Sequence, residues 1–466
     1  MASYTSRLSK TLGRPAPSEK PTKPLVLLCD GTWCGRETDT HTNILELARI
    51  MGVEENPDRV FYLEGVGIGA AMPYSYVFNG VTAQDIASQC IEAYKFIVKN
   101  YTYPDHEIWM FGLSRGAYLA RAVAGMINNC GIVKPVKVNG VIDELQTHTL
   151  CEAVYNNYRS PYPINRPHSV QSQIFRQEKS WPLIGDEDPD KPMAPRFIPP
   201  VKFMGLFDTV GSLGLPNFTG GLGLDWPAFY DQNVSSAVEN VYHAVSLHDR
   251  MYAFQPCLVS RNENIHRQGL EDFGVTKQEW LPGVHYDLGR QRFRFLREFG
   301  GGYLEDFLAR FKFASKVIEP NEVLADFALR WMLFAIRAHN PQARAAYHII
   351  PEIDTYIEYV TNGIIEKAQV PGRIGDGDVY GHVLEFAPFG SAILDIMRAL
   401  RGTREKVSAI YQLFFNLRDR LIPDRNATVY DFRDPDPGIG RSIMDLGVVC
   451  EHRYPSKTYT KWELMH

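Results

Sequence analysis

A Gly-x-Ser-x-Gly motif separates an apolar segment from a helical pattern within residues 107–121. Residues 108–111 predict a short buried strand, and small apolar residues recur at helical spacing after Gly116. A serine raised on a sharp turn between a strand and a helix needs neighbours without side chains, because the helix must pack back on the sheet. The context therefore predicts a nucleophile elbow with Ser114 as the attacking group.

Strand-like and helix-like segments alternate around this motif. Residues 25–29, 60–63 and 201–207 are short apolar runs typical of buried strands, and the patterns at 42–51 and 82–99 predict helices between them. Such alternation is typical of a parallel sheet whose functional groups gather at the carboxyl ends of its strands. We therefore predict an α/β fold, α/β-hydrolase-like, with a doubly wound, mostly parallel sheet and a largely helical C-terminal cap region.

Three regions are expected along the chain. Residues 1–24 are basic and rich in Ser, Thr and Pro, which favours a disordered tail over a mitochondrial presequence. Residues 25–310 form the expected catalytic core, with a Pro-rich insertion at 160–200 that breaks helical and strand periodicity. Residues 311–466 are expected to be a mainly helical cap or extension over the strand ends, because apolar stripes recur at helical spacing at 323–338 and 391–421.

Composition excludes several classes of function. The net charge of −5 and the lack of a long basic tract argue against binding to nucleic acid. Seven cysteines without C-x-x-C spacing predict reduced thiols and no zinc site. Neither a dinucleotide-binding order of glycines nor a Walker A motif occurs, so we predict no cofactor and no metal. Without a secretory signal or a membrane-spanning apolar run, the expected location is the cytoplasm.

An acid and a base follow Ser114 in the chain. Asp208 stands where the apolar run at 201–207 stops, which suits the acid of a triad, although a loop carboxylate that caps the next element is the alternative. His285 lies in a turn-rich loop and is the best candidate for the base, because an imidazole oriented by a carboxylate can take the proton of a serine hydroxyl. A structural histidine is the ordinary alternative. The order Ser114, Asp208, His285 is that of α/β-hydrolases.

The same geometry predicts an oxyanion hole. One donor in such folds is the backbone N–H of the residue after the nucleophile, here Arg115, and the other comes from a loop after an earlier strand. Gly31 and Thr32 are the expected source of the second donor, since they follow the strand at 25–29. We expect Asp30 to hold this loop by hydrogen bonds rather than to act as a catalyst or a metal ligand.

Six short motifs together resemble the α/β-hydrolase domain of type VI secretion phospholipase effectors and their fungal relatives. They are DGTW at 30–33, GVG at 65–67, FGLSRGAYLAR at 111–121, FDTVGSLG at 207–214, HAVSLHDRMYAFQP at 243–256 and WLPGVHYDLG at 280–289. The resemblance covers about residues 25–335. It implies a serine ester hydrolase with the triad Ser114, Asp208 and His285, acting on an ester or lipid substrate, since the bacterial effectors cleave glycerophospholipids. Transient contact with a membrane surface fits such a substrate.

Several alternatives stay open at this point. Members of the family usually run from the histidine motif directly into Gly-Gly-Gly-Tyr, whereas residues 290–299 (RQRFRFLREF) intervene here. This basic and aromatic insertion either shapes the pocket or binds an anionic head group, or it is an ordinary solvated excursion. His452 is a second candidate for the base. The alternative functions are an esterase or thioesterase for a small metabolite, and a non-catalytic scaffold that binds a ligand or partner.

Overall fold

The computed structural model describes residues 22–31, 40–65, 83–182, 199–211, 233–234, 236–251, 254–261, 274–294, 317–341, 347–379, 418–424 and 426–465. Within these residues, seven parallel strands form one sheet in the order β7-β6-β5-β4-β3-β1-β2. The strands are β1 (Lys23–Cys29), β2 (Val60–Leu63), β3 (His106–Leu113), β4 (Val201–Phe207), β5 (Val238–Ser246), β6 (Thr276–Leu281) and β7 (Thr428–Val429). The predicted parallel α/β sheet is confirmed.

Helices cover the sheet. They are α1 (Asn43–Ile50), α2 (Ala83–Asn100), α3 (Arg115–Cys130), α4 (Glu144–Arg159), α5 (Val170–Lys179), α6 (His285–Leu288), α7 (Glu322–His339), α8 (Ile353–Ala368) and α9 (Thr458–Glu463). Within the described residues, short 3-10 turns lie at Pro163–Asn165 and Pro371–Arg373, and three pairs of two-residue strands lie outside the main sheet. None of the described helices is long and apolar enough to cross a membrane.

Alternate residues of the central strands enter two different apolar layers. On one face, residues such as Leu28, Trp109 and Phe203 pack with α1, α7 and α8. On the other face, residues such as Leu27, Met110 and Met204 pack with α2, α3 and α4. Because successive side chains of a strand point to opposite faces, both faces of these apolar strands are buried. The result is a sheet between two helical layers.

The C-terminal part of the chain helps to build this core. The predicted helix at 323–338 is α7, but it lies against the face of the sheet instead of over the strand ends. A Cβ atom added to Gly205 of β4 would lie 2.6 Å from the Sδ atom of Met332 in α7, so the two elements pack closely. The C-terminal part also supplies the edge strand β7. Most of the predicted helical stretch at 391–421 lies outside the described residues.

The segment at 160–200, expected as a Pro-rich insertion without helical or strand periodicity, contains the helix α5. Ser169 caps α5 by accepting a hydrogen bond from the Ser172 N–H at 3.1 Å. The Arg176 side chain donates to the backbone oxygen of Asn129 at 2.9 Å, which fastens α5 to α3. The charged stretch at 183–198 lies outside the described residues.

Candidate active site

Ser114 lies on the sharp turn between β3 and α3, with φ 57° and ψ −118°. Its two glycine neighbours allow backbones to approach closely. A Cβ atom at Gly112 would lie 2.5 Å from the Cα atom of Ala117, and one at Gly116 would lie 2.2 Å from the Cys29 oxygen at the end of β1. The predicted strand–turn–helix geometry is therefore present, and it requires both glycines.

Ser114, His285 and Asp208 form a continuous hydrogen-bonded row. The Nε2 atom of His285 lies 2.9 Å from the Ser114 Oγ atom, and its Nδ1 atom lies 2.6 Å from the Asp208 Oδ2 atom. All three side chains are buried, with 5%, 2% and 0% of their surfaces exposed for Ser114, His285 and Asp208. A proton on Nδ1 that is donated to the carboxylate leaves Nε2 to accept from the serine hydroxyl. The row can therefore pass a proton from Ser114 to His285.

The three residues come from the carboxyl ends of three parallel strands. Ser114 follows β3, Asp208 follows β4, and His285 begins the short helix α6 just after β6. The strands β4, β5 and β6 are neighbours, and β3 adjoins β4, so residues far apart in sequence meet at one edge. The second candidate base, His452, is exposed, and it is His285 that contacts Ser114.

Asp208 is surrounded by hydrogen-bond donors. Its Oδ1 atom accepts from the Ser246 N–H at 2.9 Å, and its Oδ2 atom accepts from the Ser246 hydroxyl at 3.0 Å. The guanidinium of Arg420, itself fully buried, donates to both oxygens, at 2.6 Å to Oδ1 and 2.9 Å to Oδ2. Burial alone would raise the pKa of Asp208, but the charge of Arg420 and the hydrogen bonds from His285 and Arg420 outweigh it. They hold the pKa of Asp208 well below its usual range, so its carboxylate is ionised.

A second buried carboxylate, Asp249, positions the backbone of His285. The His285 N–H donates to the Asp249 Oδ2 atom at 2.9 Å, and the Met251 N–H donates to Oδ1 at 2.9 Å. Burial raises the pKa of Asp249 to about 6. The imidazole of His285 is also covered by Phe254, whose ring is stacked on it at 4.5 Å between centroids. Backbone and ring of His285 are thus held by separate contacts.

Two other described histidines near the site, His243 and His248, have structural roles. The Nε2 atom of His243 accepts from the Thr209 N–H at 3.1 Å, and the Nδ1 atom of His248 accepts from the Gly283 N–H at 2.9 Å. Burial lowers the pKa of His243 to about 4 and that of His248 to about 3, so both rings are neutral near pH 7. They fasten the backbone just after Asp208 and just before His285.

The loop after β1 is held by Asp30, as the sequence predicts. Its Oδ1 atom accepts from the Gly31 N–H at 2.7 Å, and its Oδ2 atom accepts from the hydroxyls of Thr42 at 2.6 Å and Tyr62 at 2.5 Å. The Gly31 N–H is therefore engaged by Asp30, and Thr32 lies outside the described residues. The N–H of Arg115 directly follows Ser114 and belongs to the first turn of α3. The assignment of Arg115, Gly31 and Thr32 to an oxyanion hole stays a prediction.

The first residues of the basic insertion are paired with acids of the chain. Arg290 forms an ion pair with Asp326, and the Arg292 Nη2 atom lies 2.6 Å from the Glu319 Oε1 atom. Phe293–Arg294 then pairs as a short antiparallel strand with Val317–Ile318. These charges are therefore used within the fold, which favours a structural role over head-group binding for Arg290 and Arg292. Residues 295–299 lie outside the described residues.

Reasoning from the sequence missed Arg420, Asp249 and Ser246. Asp249 and Ser246 do lie in the quoted motif at 243–256, Ser246 as the last residue of β5 and Asp249 three residues later, so the rule that functional groups gather at strand ends could have selected them. Arg420 had no such signal, because it stands in an apolar helical pattern far from every motif. Among the described residues, no three His, Cys, Asp or Glu side chains are grouped as a metal site would require.

Comparison with known proteins places this site in a family. The model of the type VI secretion system phospholipase effector Tle1-like catalytic domain matches residues 23–335. The uncharacterised protein YEL023C of Saccharomyces cerevisiae is 26% identical over 246 residues, which are 50% of this chain and 32% of the yeast protein. This chain thus spans about a third of the length of that relative.

Two solved structures are weakly similar to this chain. An uncharacterised protein from Pseudomonas aeruginosa matches 78% of this chain and 55% of its own at 14% identity, with a TM-score of 0.28. The Tle1 effector bound to the VgrG spike of the type VI secretion system matches 75% of this chain and 81% of its own at 14% identity, with a TM-score of 0.33. The family match covers more than half of the chain and includes Ser114, Asp208 and His285. The chain therefore belongs to the type VI secretion system phospholipase effector Tle1-like catalytic domain family.

Proposed function

We propose that this protein is a serine hydrolase that cleaves carboxylic ester bonds, with phospholipids as its substrates. The observation that carries this proposal is the hydrogen-bonded row of Ser114, His285 and Asp208. The family match supports a lipid ester as the substrate, since the family is named for phospholipase effectors. Because no cofactor is needed for acyl transfer by such a row, the chemistry can be derived from the side chains alone.

In the first half of the proposed reaction, the Ser114 Oγ atom attacks the ester carbonyl carbon while His285 Nε2 takes the hydroxyl proton. The imidazolium that forms donates its Nδ1–H to the ionised Asp208. The carbonyl oxygen becomes an oxyanion, for which the Arg115 N–H is the proposed first donor. His285 then gives its proton to the leaving alcohol oxygen, and the ester bond breaks to leave an acyl group on Ser114.

In the second half, water replaces the alcohol. His285 Nε2 takes a proton from this water as it attacks the acyl carbonyl, and the bond to Ser114 Oγ breaks as Oγ recovers a proton from His285. The products are a fatty acid and a lysophospholipid. Phe254 and the surrounding apolar residues keep the ring of His285 away from bulk water, which strengthens its hydrogen bonds to Ser114 and Asp208.

The backbone at Ser114 favours an enzyme over a non-catalytic scaffold. A non-glycine residue at φ 57° is strained, by about 1–3 kcal/mol for such sparsely populated conformations. The strain raises the hydroxyl toward His285, and a scaffold that only binds a ligand would not need it. Strain of this kind is concentrated at functional sites.

Labelling with a fluorophosphonate probe tests the serine mechanism. We expect the wild-type protein to be labelled and Ser114→Ala to be unlabelled, since the probe reacts with an activated serine. Ser180→Ala is the matched control, because Ser180 is also buried but donates its hydroxyl to the Cys130 oxygen away from the site. Equal labelling of wild type and Ser114→Ala, or none of either, would refute the proposed mechanism.

A second experiment separates the substrates. Wild-type protein is incubated with vesicles of mixed glycerophospholipids and, separately, with short acyl esters and thioesters, and the released acids are identified by mass spectrometry. Fatty acids and lysophospholipids released from the vesicles, and absent with Ser114→Ala, are the expected result. Turnover of the short esters or thioesters alone would replace the phospholipase with a small-molecule esterase or thioesterase. For the aromatic stretches at 72–81 and 212–230, the sequence leaves both lipid contact and ordinary packing open, and both stretches lie outside the described residues.

A further inference from the structure

We infer that Arg420 is a positioning residue of this site, whose guanidinium fixes the plane of the Asp208 carboxylate and thereby aims His285 at Ser114. This inference rests on the proposed serine hydrolase function and deepens it. Arg420 lies beyond the family match at 23–335, so it adds a component to the site from the C-terminal part of the chain.

The geometry of the pair is that of a two-point clamp. One Nη atom of Arg420 faces each oxygen of Asp208, at 2.6 Å and 2.9 Å, and both side chains are fully buried. Parallel hydrogen bonds from a planar guanidinium fix both the position and the rotation of a carboxylate. The rotation matters because a single atom, Oδ2, also accepts the hydrogen bond from His285.

The same guanidinium also holds the surroundings of His285. Its Nη1 atom donates to the Ser246 oxygen at 2.8 Å, and its Nη2 atom donates to the oxygen of Phe254. Ser246 ends β5 and donates to Asp208, whereas the Phe254 ring is stacked on His285. Arg420 therefore joins the acid, the end of a core strand and the residue that covers the base.

The backbone of Arg420 is anchored on both sides. The Arg418 N–H donates to the Arg250 oxygen at 2.8 Å, and the Thr458 hydroxyl donates to the Arg420 oxygen at 3.0 Å. Ile422 is buried with Val245 and Trp280 against the sheet. Because the backbone of Arg420 is already fixed, ordering its side chain against Asp208 costs less conformational entropy than it would from a mobile backbone.

The charge of Arg420 should also affect how the rate of ester hydrolysis depends on pH. Beside Arg420, the negative charge of Asp208 is compensated, so it attracts the proton on the imidazole less strongly than an unpaired carboxylate would. Removing the guanidinium while keeping Asp208 should therefore stabilise the protonated, inactive ring and move the acid limb of the pH–rate profile upward. Other charged or titratable groups packed around the row remain in the variants and act equally in all of them: Asp249, His243, Cys257, Arg121 and Asp287.

The test compares Arg420→Gln and Arg420→Lys with Arg330→Gln in the full chain. Arg330 is the matched control, because it is also buried and clamps Asp436 through two hydrogen bonds, at 3.0 Å and 2.9 Å, outside the site. Ester hydrolysis is measured from pH 5 to pH 9 per unit of folded protein. We expect Arg420→Gln to lose about 100-fold in kcat and to shift its acid limb upward by about one pH unit. Arg330→Gln should lose stability but keep the wild-type kcat and acid limb.

Arg420→Lys keeps the inference testable if Arg420→Gln does not fold. Lysine retains the charge but cannot form the planar clamp, so we expect a kcat about 10-fold lower with the acid limb unmoved. A wild-type kcat in Arg420→Lys, or a wild-type acid limb in folded Arg420→Gln, would overturn the inference.

Proton NMR, which does not require the protein to turn over a substrate, separates this inference from the proposed function. The downfield proton resonance of the His285 Nδ1–H hydrogen bond to Asp208 should shift in Arg420→Gln and stay in place in Arg330→Gln. If wild-type protein is neither labelled nor active, the hydrolase proposal fails, while this resonance still decides whether Arg420 positions Asp208. An unchanged resonance in Arg420→Gln would refute the positioning role.

Discussion

The two ends of the hydrogen-bonded row are built in different ways. At the serine end, Ser114 is held by steric fit of the backbone, since two glycines let α3 approach β1 and β3 closely. At the acid end, Asp208 is held by charge and hydrogen bonds from Ser246 and Arg420. His285 lies between them and takes its orientation from the acid.

Because the two ends are built differently, substitutions at each end should affect activity and stability differently. The serine end depends on steric fit, so an added methyl group should damage it, whereas the loss of the Ser114 hydroxyl should leave the fold intact. The acid end contains two buried opposite charges, so the loss of either one leaves the other uncompensated. Substitutions at the acid end should therefore reduce stability and activity together.

Asp208→Asn and Ser114→Ala should give the two largest effects among the changes that test this contrast. We expect kcat to fall about 10⁴-fold, because asparagine cannot stabilise the imidazolium or fix its tautomer. The free energy of unfolding should also fall by about 3 kcal/mol, since Arg420 is left buried without its counter-ion. Ser114→Ala should lose more activity, about 10⁶-fold, but less stability, about 1 kcal/mol. Hydrolysis rates and urea unfolding at pH 7 measure both quantities.

The pH dependence of the free energy of unfolding tests whether the ionised carboxylate of Asp208 stabilises the fold. The pKa of Asp208 is lowered in the folded protein, so its contribution is fully present above the ordinary value of 3.8 and is lost as the pH falls toward the folded value. The stability difference between wild type and Asp208→Asn should be constant above pH 5. It should narrow by about 1.4 kcal/mol per pH unit below the ordinary pKa. A difference that stays constant down to pH 3 would show that Asp208 is not stabilised as an ion.

Gly116→Ala tests the steric end. The new Cβ atom would lie 2.2 Å and 2.4 Å from the backbone oxygens of Cys29 and Asp30, which cannot move without displacing β1. We expect a loss of about 3 kcal/mol in the free energy of unfolding, measured by thermal or urea denaturation. Gly372→Ala is the control, since nothing lies within 4 Å of its added Cβ atom, and it should change stability by less than about 1 kcal/mol. Equal stabilities of the two variants would contradict the close approach at Gly116.

Phe254→Leu should have the smallest effect. Loss of the ring stacked on His285 removes a contact worth about 0.5–1.5 kcal/mol, so we expect kcat to fall between about 2- and 10-fold. Phe96→Leu is the matched control, because Phe96 is stacked on Phe61 at 4.9 Å in the helical layer away from the site. If both variants hydrolyse esters at the same rate, Phe254 does not orient the base.

Much of the fold could be predicted from local patterns. The strands β2 and β4 have the predicted bounds, and α1 begins just after Thr42, the first residue of the helical pattern predicted at 42–51, whose side chain accepts from the Leu45 N–H. Helix α5 was missed because prolines and charges surround it, and its stabilising contact with α3 is not local. The strand β7 has two residues, too few for any periodicity.

The candidate site likewise has features that local sequence patterns predict and features that depend on non-local contacts. The chain order of Ser114, Asp208 and His285 was readable because each follows a strand, and parallel topology brings strand ends together. The rule says only that groups after strands are near one another. It does not state which of His243, His248 and His285 faces the serine, a choice that depends on loop conformation.

The sequence by itself determined the elbow, the alternation of strands and helices, and the order of the three site residues, because these depend on neighbours within a few positions. Tertiary structure alone decided which positive charge compensates Asp208. Arg420 lies 212 positions from Asp208 in the chain, and only the packing of the C-terminal part against β5 and β6 brings the two charges together. Once both are buried, each needs the other, since an unpaired charge in a low-dielectric interior is costly.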